Sequence, residues 1–208
     1  MAITFERETT EAAPKRRLPI QIANEAKMVR ATIELLGTHD VGQITSRMIA
    51  DASGTATNYI SRYFGGRDGL LAAVADELGM RIATQIDGFE HQPGLDAPGA
   101  FLVHAVAIPE AFLWFKLFRH LAGRNLPSSA HPGGKPPLIE ACESAMSRIF
   151  RIEGDDVPFW SNLVVTYIMG NLAFGALLGT TAEENDRTLR KLAAVVETLR
   201  DRQIPVIP

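Results

Sequence analysis

TSRMIADASGTATNYISRYFGGRDGLL, residues 45–71, is the stretch that decides the fold of this chain. Ile44 precedes it and Ile49 lies in its first turn, so the two isoleucines flank Thr45 at the spacing of a hydrophobic staple around a helix N-cap. This arrangement predicts a short helix from about Ser46 to Ala52. Gly54 then breaks the helix.

A second short helix is predicted directly after this turn. It covers residues 56–63, with Ile60 facing inward, and Gly65-Gly66 stops it. Two short helices joined by a turn that contains Gly have the spacing of a helix-turn-helix, in which the second helix can enter a major groove. That helix carries a set of hydrogen-bonding side chains suited to DNA, namely Thr57, Asn58, Tyr59, Ser61, Arg62 and Tyr63.

The flanking segments predict two further helices. Before the motif, residues 22–37 place apolar side chains on one helical face, and Gly37 is predicted to end that helix; the face comprises Ile22, Ala26, Val29, Ile33 and Leu36. After the motif, residues 67–89 repeat the pattern with Leu70, Leu71, Val74, Leu78 and Ile82. Residues 1–17 are predicted to be a disordered leader, and its terminal Lys15-Arg16-Arg17 is either a solvated tail or an arm that touches phosphates.

The rest of the chain also has helical periodicity. Helices are predicted over 97–108, 110–123, 137–151, 158–179 and 182–203, with Pro109 producing either a break or a kink. No segment alternates apolar and polar residues long enough to require a strand. The predicted fold class is all-α, with an N-terminal three-helix domain and a larger helical domain.

Composition limits the function classes. The chain has 208 residues, 46% of them hydrophobic, and a net charge of −3, so a nucleic acid would have to meet a local basic surface. Residues 1–70 carry a net charge of +1 and residues 71–208 carry −4. The single Cys142 excludes an internal disulfide, no Cys/His cluster has metal-site spacing, and no cofactor motif is present, which together fit a reducing cytoplasm.

The N-terminus and one long apolar run bear on membrane association. The acidic residues before any apolar run argue against a signal peptide. The apolar run 157–180 approaches membrane-spanning length, but Ser161, Asn162, Thr166 and Asn171 interrupt it. A buried or interface helix is therefore expected there, and no membrane partner.

Residues 45–71 resemble the signature of the TetR family of small-molecule-responsive repressors. The alignment needs no gap and matches Thr45, Ile49, Ala50, Gly54, Phe64, Arg67 and Leu70. The chain departs from the family pattern at five positions. Ser61 stands where a Tyr is usual, Tyr63 replaces the common His, and Arg67 replaces Lys. In the turn, Ser53 and Thr55 replace the common Ala and Val.

The resemblance implies a DNA-binding domain over residues 18–66 and an effector-binding and dimerisation domain over 67–208. Phosphate contacts are expected from Thr45, Ser46, Tyr63 and Arg67, and Arg47 is expected to reach a guanine edge. Base reading is expected from Thr57, Asn58 and Tyr59. For each of these residues the alternative is an ordinary solvated helix position.

In the larger domain the resemblance implies an effector cavity and a homodimer interface. The pocket is expected to use His104, Trp114, Phe115, Phe118, Met146, Tyr167 and Asn171, although an aromatic cluster at helical spacing is also typical of an ordinary core. The homodimer is expected to form through helices 158–179 and 182–203, the second by a stripe comprising Leu189, Leu192, Ala193, Val196 and Leu199. The alternative is that both helices are internal core.

The sequence therefore predicts a sequence-specific transcriptional regulator that binds a double-stranded DNA operator. By the resemblance, the expected behaviour is repression relieved when a small apolar or aromatic effector shifts the population of dimer geometries, with activation or co-repression by the ligand as the alternatives. Two alternatives stay open. One is a helical ligand-binding protein of the same fold that does not read DNA, and the other is an enzyme, for which no catalytic motif is found.

Overall fold

The computed structural model describes residues 18–89, 92, 94, 97–122, 135, 137–175 and 177–202. Within these ranges the chain forms nine α-helices and no strand, which confirms the all-α prediction. The helices are α1 (Pro19–Thr38), α2 (Ser46–Ser53), α3 (Asn58–Phe64), α4 (Arg67–Gly88), α5 (Pro98–Val106), α6 (Pro109–Ala122), α7 (Pro137–Ile149), α8 (Asp156–Phe174) and α9 (Ala182–Asp201). A 3-10 turn, Val41–Gln43, lies between α1 and α2. The leader over residues 1–17 lies outside the described residues.

Most predicted helix ends differ from the structure by one to three residues, and the end of α8 differs by five. Gly37 does not end α1, which continues to Thr38 and leaves the helix at the extended residue His39. In α8 the helix ends at Phe174, five residues before the predicted end, and the chain then turns before α9 begins. The Pro109 position is a break between helices, because α5 and α6 are bent by 63° relative to each other.

The buried side chains form two clusters. The N-terminal core comprises Met28, Leu36, Val41, Ile44, Ile49, Ile60, Leu70, Leu71, Val74, Ala75, Leu78, Leu117 and Leu121. The C-terminal core is built from the second half of α4 and from α5, α7, α8 and α9, with Phe101, Leu102, Met146, Phe150 and Trp160 among its larger members. Each core is completed by elements that are distant in sequence.

Helices α4 and α6 join the two cores. The apolar face of the first half of α4 is buried in the N-terminal core, whereas Ile82 and Ile86 are buried in the C-terminal core. From α6, Leu117 and Leu121 complete the N-terminal core, and Trp114 packs against both cores. A division of the chain at residue 66 therefore separates α1–α3 from helices that help to bury them.

Two predicted helix faces are oriented differently in the structure. On α1, Ile22 is exposed, and the buried residues are Met28, Ala31, Thr32 and Leu36. On α9, the stripe that was predicted to reach a second protomer packs inside this one, with Leu189, Ala193 and Val196 buried beside α5. The prediction for that stripe was wrong because α5 covers it within the same protomer.

Candidate nucleic-acid interface and the cavities behind it

The start of α2 has the predicted capping geometry. Thr45 is the N-cap, and its hydroxyl oxygen accepts a hydrogen bond from the Met48 backbone N–H at 3.2 Å. Ile44 and Ile49 are both fully buried in the N-terminal core. The staple therefore holds the first turn of α2 against the core, while Thr45 stays exposed and Ser46 half-buried.

In the turn between α2 and α3, the two residues that depart from the family pattern are hydrogen-bonded to each other. Gly54 ends α2 in the left-handed conformation at φ 64°, which a residue with a side chain adopts only under strain. The hydroxyls of Ser53 and Thr55 lie 2.7 Å apart, and Ser53 also donates to the Ala50 carbonyl at 3.3 Å. The two polar replacements thus satisfy each other.

Helix α3 has one anchored side and one open side. Ile60 is buried in the N-terminal core, and Tyr59 and Tyr63 stack at 5.2 Å between ring centroids while packing against that core. The Arg62 guanidinium lies 5.9 Å from the centroid of the Tyr63 ring. The open side presents exposed polar residues, namely Thr57, Asn58, Ser61 and Arg62.

The two arginines that were predicted to contact DNA lie in different environments. The Arg47 side chain is 88% exposed on α2 and lies 3.8 Å from the Asp51 carboxylate. By contrast, Arg67 donates from Nε to the Ile44 carbonyl at 2.7 Å and from Nη2 to the Val41 carbonyl, and its Nη1 is 3.4 Å from Asp68. Its guanidinium therefore faces the segment that precedes α2.

The joint between α3 and α4 is closely packed. Gly65 and Gly66 have φ values of 73° and 130°, which L side chains rarely adopt. Three residues after Gly66, a Cβ on Gly69 would lie 1.8 Å from the carbonyl oxygen of Phe64. The first turn of α4 can therefore approach the end of α3 only because position 69 has no side chain.

A lysine from α6 closes the other end of the same domain. Lys116 Nζ donates to the carbonyl oxygens of Leu36 at 3.2 Å and His39 at 2.7 Å, and it lies 3.7 Å from the Asp40 carboxylate. These carbonyls lie at the C-terminus of α1, where a cation is favourable. This contact explains why α1 ends at Thr38 without a left-handed glycine.

Behind this domain lie two adjacent cavities between α4, α6, α7 and α8. The inner cavity, of about 60 Å³, also reaches α5, and the outer cavity, of about 410 Å³, is bounded by the start of α7 and by α4. Trp114, Leu138, Val165 and Met169 line both of them. The dividing wall between the cavities is therefore built from four side chains.

Of the residues predicted for an effector pocket, three line the cavities. Trp114 lines both, Met146 the inner one and Phe118 the outer one, where Phe118 stacks on Trp114 at 4.9 Å. The other four are not among the lining residues. His104 is exposed with its Nδ1 3.0 Å from the Ala100 carbonyl, Phe115 is buried beside Arg119, Tyr167 packs against the C-terminal core, and Asn171 is half-buried on α8.

Two polar residues of the inner cavity were missed from sequence. Ser161 is 1% exposed, and its Oγ has no hydrogen-bond partner among the described residues. Burial, and secondarily the neighbouring Glu143, raise the pKa of the Cys142 thiol to about 12, so this group is neutral at physiological pH. The signal available in the sequence was the position of Ser161 inside an apolar run.

Metal sites and membrane spans are considered in the described part of the chain only. There, no group of three or more His, Cys, Asp or Glu side chains is arranged to hold a metal ion. No single described helix is long and apolar enough to cross a membrane. Among the described residues, α5 and α6 reach that length and hydropathy only when they are taken together, and the pair is bent.

Comparison with known proteins assigns the N-terminal region. Residues 22–74 match the family model described as "Bacterial regulatory proteins, tetR family". A comparison with curated protein sequences returned no match.

Solved structures with the same fold cover most of the chain. One is the TetR family repressor AlkX from Dietzia sp. strain DQ12-45-1b, implicated in biodegradation of n-alkanes, with 20% identity, a TM-score of 0.57, and coverage of 86% of this chain and 95% of that one. A TetR transcriptional regulator from Rhodococcus sp. RHA1 has 18% identity, a TM-score of 0.58 and coverage of 85% and 96%. A TetR transcription regulator from Haloarcula marismortui has 20% identity, a TM-score of 0.54 and coverage of 85% and 97%. The N-terminal region of this chain therefore belongs to the TetR family of bacterial regulatory proteins, and the chain has the all-helical fold of TetR family regulators.

Proposed function

We propose that this protein is a transcriptional repressor that binds a specific DNA operator through α2 and α3 and leaves it when a small apolar effector is bound. The observation that carries the proposal is the polarity of α3. Its inner side is fixed by Ile60 and the tyrosine rings, and its outer side exposes Thr57, Asn58, Ser61 and Arg62. A short, rigid helix with amide, hydroxyl and guanidinium groups on its open side suits reading in a major groove. We place this activity in the cytoplasm, where an operator is accessible.

The DNA contacts follow from these positions. Thr45 and Ser46 at the N-terminus of α2 suit a phosphate, because helix N-termini bind anions. Tyr63 offers its hydroxyl to a phosphate of the DNA backbone, and the exposed Arg47 can reach a phosphate or a guanine edge. Thr57, Asn58 and the outer end of Tyr59 are the proposed base readers.

For Arg67 we replace the phosphate contact by a positioning role. Its guanidinium donates to the carbonyls of Val41 and Ile44, immediately before the Thr45 N-cap. This contact holds the start of α2 relative to α4. Arg67 would therefore act on DNA through the orientation of α2, while its backbone N–H, at the start of α4, stays a candidate phosphate donor.

Two copies are needed to present two reading helices about one turn of DNA apart. We propose that they pair through an outer stripe on α8, which comprises Phe159, Leu163, Thr166, Gly170 and Phe174. The exposed fractions of Phe159, Leu163 and Phe174 are 44%, 42% and 58%, which is unusual for side chains of this size. A Cβ on Gly170 would meet no atom within 4 Å, so this side of α8 is open to a second protomer.

From α9, the contribution to the dimer would come from the side opposite its buried stripe. Val195 is 52% exposed there. Together, α8 and α9 of two protomers would form a four-helix bundle.

The effector would occupy the cavities between α4, α6, α7 and α8. Trp114 and Phe118 line them from α6, and the same helix holds the end of α1 through Lys116. A ligand that favours another position of α4 or α6 would shift the population towards dimers whose α3 helices do not match successive major grooves.

Binding to DNA tests the proposal directly. The full chain is titrated onto duplex DNA that flanks its own gene and onto a random duplex of equal length, at several salt concentrations. We expect a preference of at least about a thousandfold for a site in the flanking DNA. Salt-steep binding without preference would contradict the specific-regulator proposal, and absence of binding would favour a ligand-binding protein that does not read DNA.

The dimer is tested with Gly170→Leu, measured by light scattering after size exclusion. A Cβ at position 170 meets no atom of the protomer, so the variant should still fold, whereas the dimer should dissociate and lose the stabilisation that association contributes. Gly37→Leu, which also enters open space on a helix, is the matched control and should remain dimeric. A dimeric Gly170→Leu protein would place the interface elsewhere.

A further inference from the structure

The Ser161 hydroxyl is an unusual group in the wall of the inner cavity. A serine inside a helix commonly donates to the carbonyl of the preceding turn, which satisfies the hydroxyl without outside help. Ser161 does not, since its Oγ is buried and lacks a partner among the described residues. Because burial of an unpaired hydroxyl is unfavourable, a partner supplied by a bound molecule would be stabilising.

The remaining wall of the inner cavity is almost entirely hydrocarbon. Its lining includes Ile82, Ile86, Leu102, Val164, Ile168 and Leu172, with the aromatic edges of Phe101 and Trp114. Among the residues that the structure describes, no charged residue lines this cavity. Cys142 carries a neutral thiol, which is a weak hydrogen-bond donor, and the indole N–H of Trp114 can donate but cannot accept. Ser161 therefore carries the one hydroxyl among the described lining residues, and it can both donate and accept.

The size of the cavity limits the ligand. About 60 Å³ has room for roughly four to six water molecules, so a single ring or a short chain fits. The outer cavity begins behind Trp114, Leu138, Val165 and Met169, and it leaves space for an additional substituent. A charged group in the inner cavity would lose its hydration without gaining an opposite charge.

We propose that the inner cavity binds an uncharged, mostly hydrocarbon molecule with one oxygen-containing hydrogen-bonding group, and that this group pairs with the Ser161 hydroxyl. The inference deepens the proposed function, on which it rests for the role of the ligand as effector. It identifies Ser161 as the specificity-determining residue, whereas the apolar wall supplies most of the binding free energy. A phenol or a short alcohol has the required chemistry, and a carboxylate does not.

The test compares two probes of equal size on two proteins. The probes are 4-ethylphenol and 4-ethyltoluene, which differ by a hydroxyl in place of a methyl group. The proteins are the wild type and Ser161→Ala, and binding is measured by calorimetry without DNA. We expect 4-ethylphenol to bind about tenfold more weakly to Ser161→Ala, while 4-ethyltoluene binds both proteins equally or favours the alanine variant.

Two controls accompany this comparison. Ser147→Ala removes an exposed serine from α7 and should leave both affinities unchanged. 4-Ethylbenzoate, which has the same ring with a charged group, should bind at least a hundredfold more weakly than 4-ethylphenol. Ser161→Ala should keep or raise the melting temperature of the wild type, because it removes an unpaired buried hydroxyl.

The outcomes separate this inference from the proposed function. If wild type does not bind 4-ethylphenol, if the two probes lose the same affinity on Ser161→Ala, or if 4-ethylbenzoate binds as well, the inference is overturned. The effect of 4-ethylphenol on DNA binding is measured afterwards. Ser161-dependent binding without release of DNA would leave the inference standing and remove the effector role.

Discussion

The N-terminal core and the C-terminal core differ in how the polar groups beside them are paired. In the N-terminal core, Arg67 and Lys116 reach in from α4 and α6 and donate to backbone carbonyls at both ends of the segment between α1 and α2. Beside the C-terminal core lie two cavities and the unpaired hydroxyl of Ser161. The contacts of Arg67 and Lys116 thus fix the backbone that leads into α2, whereas the C-terminal side keeps an unpaired hydroxyl that a ligand could satisfy.

The N-terminal and C-terminal cores also depend on each other through shared helices. α4 and α6 supply the cations that fasten the N-terminal domain, and they also form walls of both cavities. A change in their position would act on both regions because each of these helices packs against both cores. Four sets of substitutions would test the contacts that hold α1, α2 and α3 in place, from the largest expected effect to the smallest.

Gly69→Ala should be the most damaging single change. Its Cβ would meet the Phe64 carbonyl at 1.8 Å, so α3 and α4 must separate, at a cost of about 3 kcal/mol in the free energy of unfolding. DNA binding should fall with it, since α3 would lose its position. Chemical denaturation and DNA titration measure the two effects.

Gly37→Ala is the control for that prediction. Gly37 is helical and has open space at its Cβ position, so the change should stabilise the protein by about 0.5–1 kcal/mol. Equal effects of the two substitutions would contradict the close joint between α3 and α4.

Arg67→Ala should lower the free energy of unfolding by about 2 kcal/mol, because two backbone carbonyls lose a charged donor. The dependence of DNA binding on salt should keep its slope, since no phosphate contact is removed. Denaturation and salt titration of the same samples give both values.

Arg47→Ala provides the opposite pattern. Its side chain is exposed, so stability should change by less than about 0.5 kcal/mol, while the salt slope falls by about 1. If Arg67→Ala lowered the slope and left stability unchanged, the phosphate contact predicted from sequence would be restored.

Lys116→Met should lower the free energy of unfolding by about 1.5 kcal/mol. Its effect should appear in α1, which is distant from residue 116 along the chain. The carbonyls of Leu36 and His39 lose their donor, so the C-terminal turn of α1 should exchange its amide hydrogens faster. Lys191→Met on the exposed side of α9 is the matched control and should be neutral. Unchanged exchange in α1 would show that α6 does not fasten this end.

Ser53→Ala and Thr55→Val should have the smallest effect, about 0.5–1 kcal/mol each, because each leaves one hydroxyl of the turn without its partner. The double variant should cost less than the sum of the two, with a coupling of about 0.5–1 kcal/mol in a double-mutant cycle. Additive losses would mean that the two hydroxyls do not depend on each other.

The sequence predicted local features well. The Thr45 N-cap, the buried Ile44 and Ile49, and the Gly54 break were confirmed, since each depends on residues a few positions apart. The placement of the helices was confirmed for the same reason. The site of the helix-turn-helix could therefore be found without the structure, and its individual DNA contacts stay predictions.

Other features depended on residues far apart in the chain. The end of α1 was misplaced because the residue that caps its carbonyls, Lys116, lies 77 positions after His39. The buried stripe of α9 was assigned to a dimer because nothing in its periodicity indicates whether α5 or a second protomer covers it. Of the expected pocket residues, only those whose helix faces turn towards the gap between α4, α7 and α8 line a cavity.

The sequence by itself determined the helical class, the helix-turn-helix and the membership of residues 22–74 in a family, because capping, turn chemistry and periodicity act over short distances. Only the tertiary structure decided that Arg67 faces inward, that Ser161 is left unpaired beside a cavity, and that α6 completes the N-terminal core. The physical reason is that the orientation of a side chain, and what covers it, depend on which distant helices pack together.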